Sequence, residues 1–280
     1  MARAPTKQAE KPQTTAVVSW EDEMAAQAQA AAAMEAGAGG SRYFSTRGGV
    51  LSLDDAHLPN NQMAAVIVDH VLENVFYADK FDPDVAAAPV CFAFGRDDRT
   101  MAPHPDVVAK GQAQHATCSG CPMNEWGTAD TGKGKACRNT RRLGLIPAGA
   151  LTADGRFTAY PDAEHFETAA VAYLKLPVTS VKGFASFVKN VAGTLRRPPH
   201  GIFTRIQEVP DAKSQFKIVF TPLAAAPGAV VPALMRRHEE VMKVIEQPYN
   251  LDVEESAPAR GKPAVTKNVR PEVKRPTKKY

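Results

Sequence analysis

The sequence predicts a mainly β (α+β) fold, a small and partly closed β-barrel with an inserted metal-binding loop and disordered tails. Three observations lead there. Short runs of β-branched and aromatic residues recur between Arg42 and Thr221, punctuated by Gly, Pro and Asp turns. Within that span one stretch, Val181 to Leu195, repeats apolar residues at three- and four-residue intervals. All four cysteines of the 280 residues fall between Cys91 and Cys137, in a polar insertion that interrupts the strand pattern.

Taken in order, Met1 to Gly40 is a tail whose Pro, Lys, Gln and Thr opening offers too little apolar surface to offset the entropy of ordering. Ser19 and Asp22 resemble a capping box before an Ala-rich helix from Trp20 to Ala36, which Gly37, Gly39 and Gly40 end. Trp20 is the side chain there that can dock on the body. RYFSTRGGVLSLDD then reads as a hairpin turned at Gly48-Gly49, and the run around Val66 to Phe76 as one long strand with a bend. Pro89 to Gly95 is a strand with Phe92 and Phe94 on one face and Cys91 on the other.

After the cysteines, Arg141 to Ile146 resumes a strand and Asp154-Gly155 turns the chain toward Phe157 and Tyr160. Glu167 to Val178 alternates as a strand, placing Val171, Tyr173 and Lys175 on a face that can look outward at a ligand. Thr179 or Ser180 caps the helix whose stripe is Val181, Phe184, Val188, Val191 and Leu195. Gly201 to Val209 and Gln215 to Thr221 are two strands about the turn Pro210 to Ser214, and Pro232 to Gln247 is a C-terminal helix. Short strands with one helix late in the order fit a partly closed barrel of the oligonucleotide-binding kind. A parallel α/β sheet does not fit, because strands and helices do not alternate.

Cys118 and Cys121 form a Cys-x2-Cys pair, with Ser119-Gly120 inside it and Pro122 after it; Cys137 follows fifteen residues later and Cys91 ends an apolar run upstream. That is knuckle spacing, two thiolates from one tight turn and two from flanking elements, and it points to zinc. An iron–sulfur cluster takes the same ligands, and His104 and His115 compete with Cys91 for the fourth place. No secretory signal argues for disulfides.

Cations surround the cysteines. Lys133, Lys135, Arg138, Arg141 and Arg142 share ten residues with no acid, Gly132 and Gly134 permit close approach, and Trp126 sits between the halves of the cysteine cluster. A basic, glycine-bearing loop beside an aromatic suits a polyanion with stackable bases. From Val181 to Gln207, Lys182, Lys189, Arg196, Arg197 and Arg205 form a second acid-free segment. The formal charge of +4 conceals a tail, Ser256 to Tyr280, with eight Lys or Arg and one Glu. No apolar run reaches the eighteen residues that cross a membrane. No carboxylates are spaced for two catalytic metals: Asp97-Asp98 and Asp154 read as turn residues, so no catalysis is expected.

FSTRGGVLSLD, PVCFAFG, CSGCPMNEWG, GKGKAC, RRLGLI, LPVTSVKGFASFVKNV and RPPHGIFTRIQEVPDAKSQFKIVF together resemble tailed-bacteriophage proteins thought to be single-stranded DNA-binding proteins. The likeness spans Arg42 to Pro222 and is most specific in the cysteine block. It implies an oligonucleotide-binding barrel with a zinc module, similar in plan to the T4-type helix-destabilising protein, with Cys91, Cys118, Cys121 and Cys137 as ligands. It also implies a role in phage DNA replication or recombination in the cytoplasm of the infected cell, alongside phage replication or recombination proteins. The expected DNA contacts are Trp126, Lys133, Lys135, Arg138, Arg141, Arg142, Tyr173, Lys175 and Arg205, with Phe203 as a further stacking ring. A zinc-bearing regulator that contacts duplex DNA or protein is the alternative. The expected divisions are a tail over 1–40, a DNA-binding domain over 41–225 with its zinc loop at 91–142, a C-terminal helix over 226–250 and a basic tail over 251–280. Single-strand binders often end in acidic tails; this chain ends Lys278-Lys279-Tyr280.

Overall fold

The computed structural model describes residues 20, 23, 24, 27, 42–54, 56–78 and 88–251. Trp20, Glu23, Met24 and Gln27 are helical and exposed; the rest of the expected Ala-rich helix, the Ser19–Asp22 cap and residues 252–280 lie outside the described residues.

Ten strands make one mixed sheet: β1 (Tyr43–Ser45), β2 (Ser52–Leu53), β3 (Ala56–His57), β4 (Gln62–Phe76), β5 (Cys91–Gly95), β6 (Arg138–Leu151), β7 (Phe157–Ala159), β8 (Ala172–Leu176), β9 (Ile202–Asp211) and β10 (Gln215–Ala225). The path runs β10-β9-β4-β6-β8-β1-β2-β3, with β5 added to β4 and β7 to β6. Among the described residues only β1 and β8 pair in parallel. The fold is therefore mainly β, and the two ends of the path do not meet, so the sheet is open among the described residues.

β4 is the spine. Its early half pairs with β9 over Gln62–Val66, its late half with β5 over Leu72–Phe76, and β6 lines the opposite edge throughout. Burial on both faces explains why MAAVIVDHV reads as a nearly continuous apolar run. Register shifts at Ala64/Ala65 and Ile67/Asp69 are bulges that bend the strand. The β1–β2 hairpin forms as expected, through a 3-10 turn at Arg47–Gly49 with both glycines at positive φ. A Cβ on Gly49 would strike the Phe216 ring at 2.3 Å, so that position needs glycine twice over.

Helices cover both faces. α3 (Val178–Leu195) packs over Ala65, Ile67, Leu143, Leu145, Leu174 and Leu176. α2 (Ala163–Thr168) and α4 (Val231–Val244) pack over Val66, Val68, Ile146 and Phe203. Successive β4 residues divide between these two cores, as side chains alternate along a strand. A five-residue helix, α1 (Pro105–Ala109), lies within the cysteine insertion.

Three local expectations change. Glu167 and Thr168 belong to α2, and the strand begins only at Ala172, because Phe166 seats fully buried against Phe203 at 5.7 Å between ring centroids. Pro177 holds the N-cap position of α3; the Ser180 hydroxyl instead accepts from the Ile218 amide at 2.8 Å and so ties helix to β10. Leu195 ends the stripe 43% exposed, and Phe187 takes its place in the core.

Candidate metal centre and basic loop

β4 brings the cysteines together. Cys91 opens β5 opposite Phe76, and Cys137 immediately precedes Arg138, which pairs with Val75 from the other edge. Two cysteines distant in sequence thus reach the same end of one strand. The knuckle closes from above: the Cys121 amide donates to the Cys118 carbonyl at 3.4 Å and Asn124 N–H to the Cys121 carbonyl at 2.9 Å. Cys137 N–H donates to the Met123 carbonyl at 2.7 Å and Cys118 N–H to the Met101 carbonyl at 2.9 Å, pinning both ends of the loop.

All four cysteines line one cavity of about 20 Å³, with Asn74, Gln114 and His115 among the other walls. They are unbridged thiols. Burial, then the nearby thiols Cys118, Cys121 and Cys91, push the Cys137 thiol up to about 12. Cys91 and Cys118 are also raised, burial first. The thiols are thus near enough to disfavour one another's ionisation, and a divalent cation among them would reverse that effect. Among the described residues no three His, Cys, Asp or Glu side chains stand at the closed spacing of a metal cage. The residues that could hold an ion here are therefore a thiol set around a cavity, not a finished polyhedron.

The two competing histidines are placed differently. His104 caps α1, accepting from the Asp106 amide at 3.3 Å, and stacks on Phe92 at 4.9 Å; it is not a wall of the cavity. His115 is a wall, with its Nδ1 3.2 Å from the Thr117 amide. Asn74 reaches the Cys118 sulfur with a hydrogen bond, while its Oδ1 accepts from Asn139 Nδ2 at 2.6 Å. The Asn139 bond therefore leaves the Asn74 amide NH2 for sulfur.

The basic loop stands on this base. Gly127 N–H donates to the Gly134 carbonyl at 2.7 Å, and Ala136 N–H to Thr128 Oγ1 at 3.0 Å, so 126–128 folds back along 133–136. Trp126 is 81% exposed, next to Gly127, whose partner Gly134 lies between Lys133 and Lys135 in the chain. Lys133 and Arg138 are exposed. Lys135 is half-buried and donates to Asn124 Oδ1 at 3.1 Å, which in turn links to the Cys118 carbonyl. Arg138 also lies over the Tyr77 ring at 5.4 Å.

The remaining sequence-predicted contacts do not join that surface. Arg142 is 1% exposed and pairs with fully buried Glu73 at 2.8 Å. Its Nη1 donates to the carbonyls of Ile245 and Gln247, and its guanidinium lies 4.2 Å from the Phe94 centroid. Tyr249 donates to Glu73 Oε1 at 2.5 Å and accepts from Lys175 Nζ at 2.7 Å. The expected outward face of β8 is thus covered: Tyr173 is 6% exposed beneath α4, Lys175 is engaged below Tyr249, and Phe203 is core. Arg141, next to Arg142 on the strand, points to the opposite face and is half-buried. Arg205 pairs opposite Ala64, eleven residues along β4 from the Val75–Arg138 pair, or roughly 36 Å at strand rise. Arg142, Tyr173 and Lys175 therefore do not share an exposed surface with the loop cations.

Sequence reasoning missed Glu73 and Tyr249, which organise that interior. Glu73 carried a signal, as one of two carboxylates, with Asp69, within an apolar strand. Tyr249 carried none. A larger apolar cavity of about 330 Å³ opens between Phe44, Leu53, Leu58, Met63, Leu145 and Leu151.

No family model, no curated protein and no solved structure matches the chain. Among the described residues no helix is long and apolar enough to cross a membrane.

Proposed function

We propose that the chain binds single-stranded DNA with little base preference, in phage DNA replication or recombination within the infected cell, and performs no catalysis. The observation that carries this reading is Trp126, 81% exposed on a loop that bears Lys133 and Lys135 and leads into Arg138 at the start of β6. A buried Trp126 would have made it the small core of the cysteine module. An exposed ring beside exposed cations offers a stacking platform and phosphate neutralisation together, the pairing that single-strand binders use. Each stacked base is worth about 1–3 kcal/mol and needs no fixed sequence. The open, bent sheet would serve as an oligonucleotide-binding type of scaffold, and phage replication or recombination proteins are the partners such a role requires.

Zinc is the ion proposed for Cys91, Cys118, Cys121 and Cys137. When bound it supplies a structural cross-link and no reaction. A cavity near 20 Å³ has room for about one water-sized particle, which supports a single ion over a multi-iron cluster. The chain's own part is to present four sulfurs from three places and to hold Lys135 through Asn124.

Competition between single-stranded and duplex DNA of one sequence, at several salt concentrations, tests the reading. The expected result is preference for the single strand at every salt. Preference for duplex, or no binding by either, would instead make the chain a zinc-bearing regulator of duplex DNA or of protein.

A further inference from the structure

We infer a second phosphate-binding track along α3, formed by Lys182 and Lys189 on its outer face and Arg196 at its C-cap. It rests on the single-strand reading above and adds a surface that reading does not use. α3 buries Ser180, Phe184, Phe187 and Val191. At 100° per residue these four cluster within about 60° of one another. Lys182 and Lys189 are one seven-residue step apart, which drifts only about 20°. Lys182 and Lys189 therefore stand at the pole opposite the buried stripe, about 10.5 Å apart along the axis, and Arg196 follows at the left-handed C-cap. All three are exposed.

What surrounds them favours a polyanion. No Asp or Glu occurs from Thr168 to Gln207, and among the described residues none of the three cations makes an ion pair. The neighbours on the outer face are small or polar, Ala185, Ser186, Asn190, Ala192 and Gly193, apart from Val178 in the first turn, which is 51% exposed. Nothing lies within 4 Å of where a Cβ on Gly183 or Gly193 would be. A backbone of phosphates can approach three unobstructed cations in a row. A membrane surface is disfavoured, since an interfacial helix needs a stripe of large apolar side chains beside its cations, and here Phe184 and Phe187 face the core while the exposed Val178 and Leu195 lie at opposite ends of the helix. The helix is also fixed in place by the Ser180–Ile218 bond, so binding need not order it.

The test uses the full chain carrying Lys182→Gln, Lys189→Gln and Arg196→Gln together, with fluorescence anisotropy on oligo-dT of increasing length. The expected loss of salt slope is about 2 units, from three contacts at about 0.7 each on a single strand. That loss should appear only on oligonucleotides long enough to reach α3 from the loop, with short ones bound as by the parent. An unchanged slope at every length overturns the inference, and so does equal weakening on the shortest strands, which would be a general charge effect. Binding of the parent, but not of the variant, to anionic phosphatidylserine vesicles in place of long oligo-dT would move the surface to a membrane. If the parent binds oligo-dT and Lys133→Gln with Arg138→Gln weakens it while the helix variant does not, only the track fails. If the parent binds no oligo-dT, both readings fall. Thermal unfolding of the variant should match the parent, because all three side chains are in water.

Discussion

At the residue scale, Arg141 and Arg142 show why adjacent cations cannot be given one role. Strand geometry sends them to opposite faces, Arg141 half-buried on one and Arg142 in a closed network with Glu73, Lys175 and Tyr249 on the other. Arg142→Ala should therefore cost about 3–5 kcal/mol in denaturant unfolding, since it strands a buried carboxylate. Its salt slope on DNA should match the parent's; a slope that falls with stability intact would return Arg142 to the DNA surface. Trp126→Ala should do the reverse, weakening oligo-dT binding by about 1–3 kcal/mol with little change in slope, because stacking releases no counterions. Emission from a Trp20→Phe variant reports the same contact, with Trp126 then the sole tryptophan. Unquenched emission on saturation with oligo-dT would remove Trp126 from the interface.

Glu208 gives a pH dependence of known sign. Burial without a partner for Oε2 raises its carboxyl from the usual range to about 6. In the unfolded chain the group ionises first as pH rises, so the folded state loses stability from about pH 4.5 upward and the full penalty is present above about pH 6. Glu208→Gln should raise the unfolding midpoint at neutral pH and leave it unchanged near pH 4, where both states are protonated. A gain of equal size at both pH values would assign the effect to packing.

At the element scale, the cysteine module depends on β4. Its end receives Cys91 from β5 and Cys137 from β6, while the knuckle arrives from a loop held by main-chain bonds. Protein purified without added metal should contain zinc near one ion per chain by elemental analysis. Cys121→Ser should lose it, and the loop's amide protection with it. Retention of zinc by Cys91→Ser, with loss in His115→Ala, would replace Cys91 by the histidine that also lines the cavity. Asn74→Leu tests the support beyond the ligands: removing an N–H to sulfur should lower metal affinity about 10–100-fold in chelator competition.

Much of this scale was legible in the sequence. The long β4, the Gly48-Gly49 hairpin, the paired strands about Pro210–Ser214 and the C-terminal helix all announced themselves through composition and turn residues. The cysteine spacing foretold a cluster, and the cluster's convergence on one cavity follows from register, which spacing alone does not contain. What stayed hidden was long-range. The alternation of Val171, Tyr173 and Lys175 is real, but whether that face meets water depends on α4 and Tyr249, some seventy residues later. Short α1 and α2 are equally invisible to periodicity, since five or six residues do not complete two turns.

At the scale of the whole molecule, charge is distributed so that binding cannot be read from its total. Removing Ser256 to Tyr280 takes away a net +7 and turns the formal charge from +4 to −3. If the body nevertheless prefers single strands, local placement of the loop and α3 cations must supply that preference. The tail's cations are spaced among Pro, Ala and Val without aromatic rings until Tyr280. Their contribution is therefore expected to be Coulombic and the same for any nucleic acid. Deletion of residues 256–280 should weaken single-stranded and duplex binding alike. It should flatten the salt dependence by no more than about 6 units, the limit for eight contacts at about 0.7 each on a single strand. The ratio of the two affinities should not move. A truncated chain that binds both strands equally would place the discrimination in the tail, and one that keeps the parent's slope would show that those eight cations never reach phosphate.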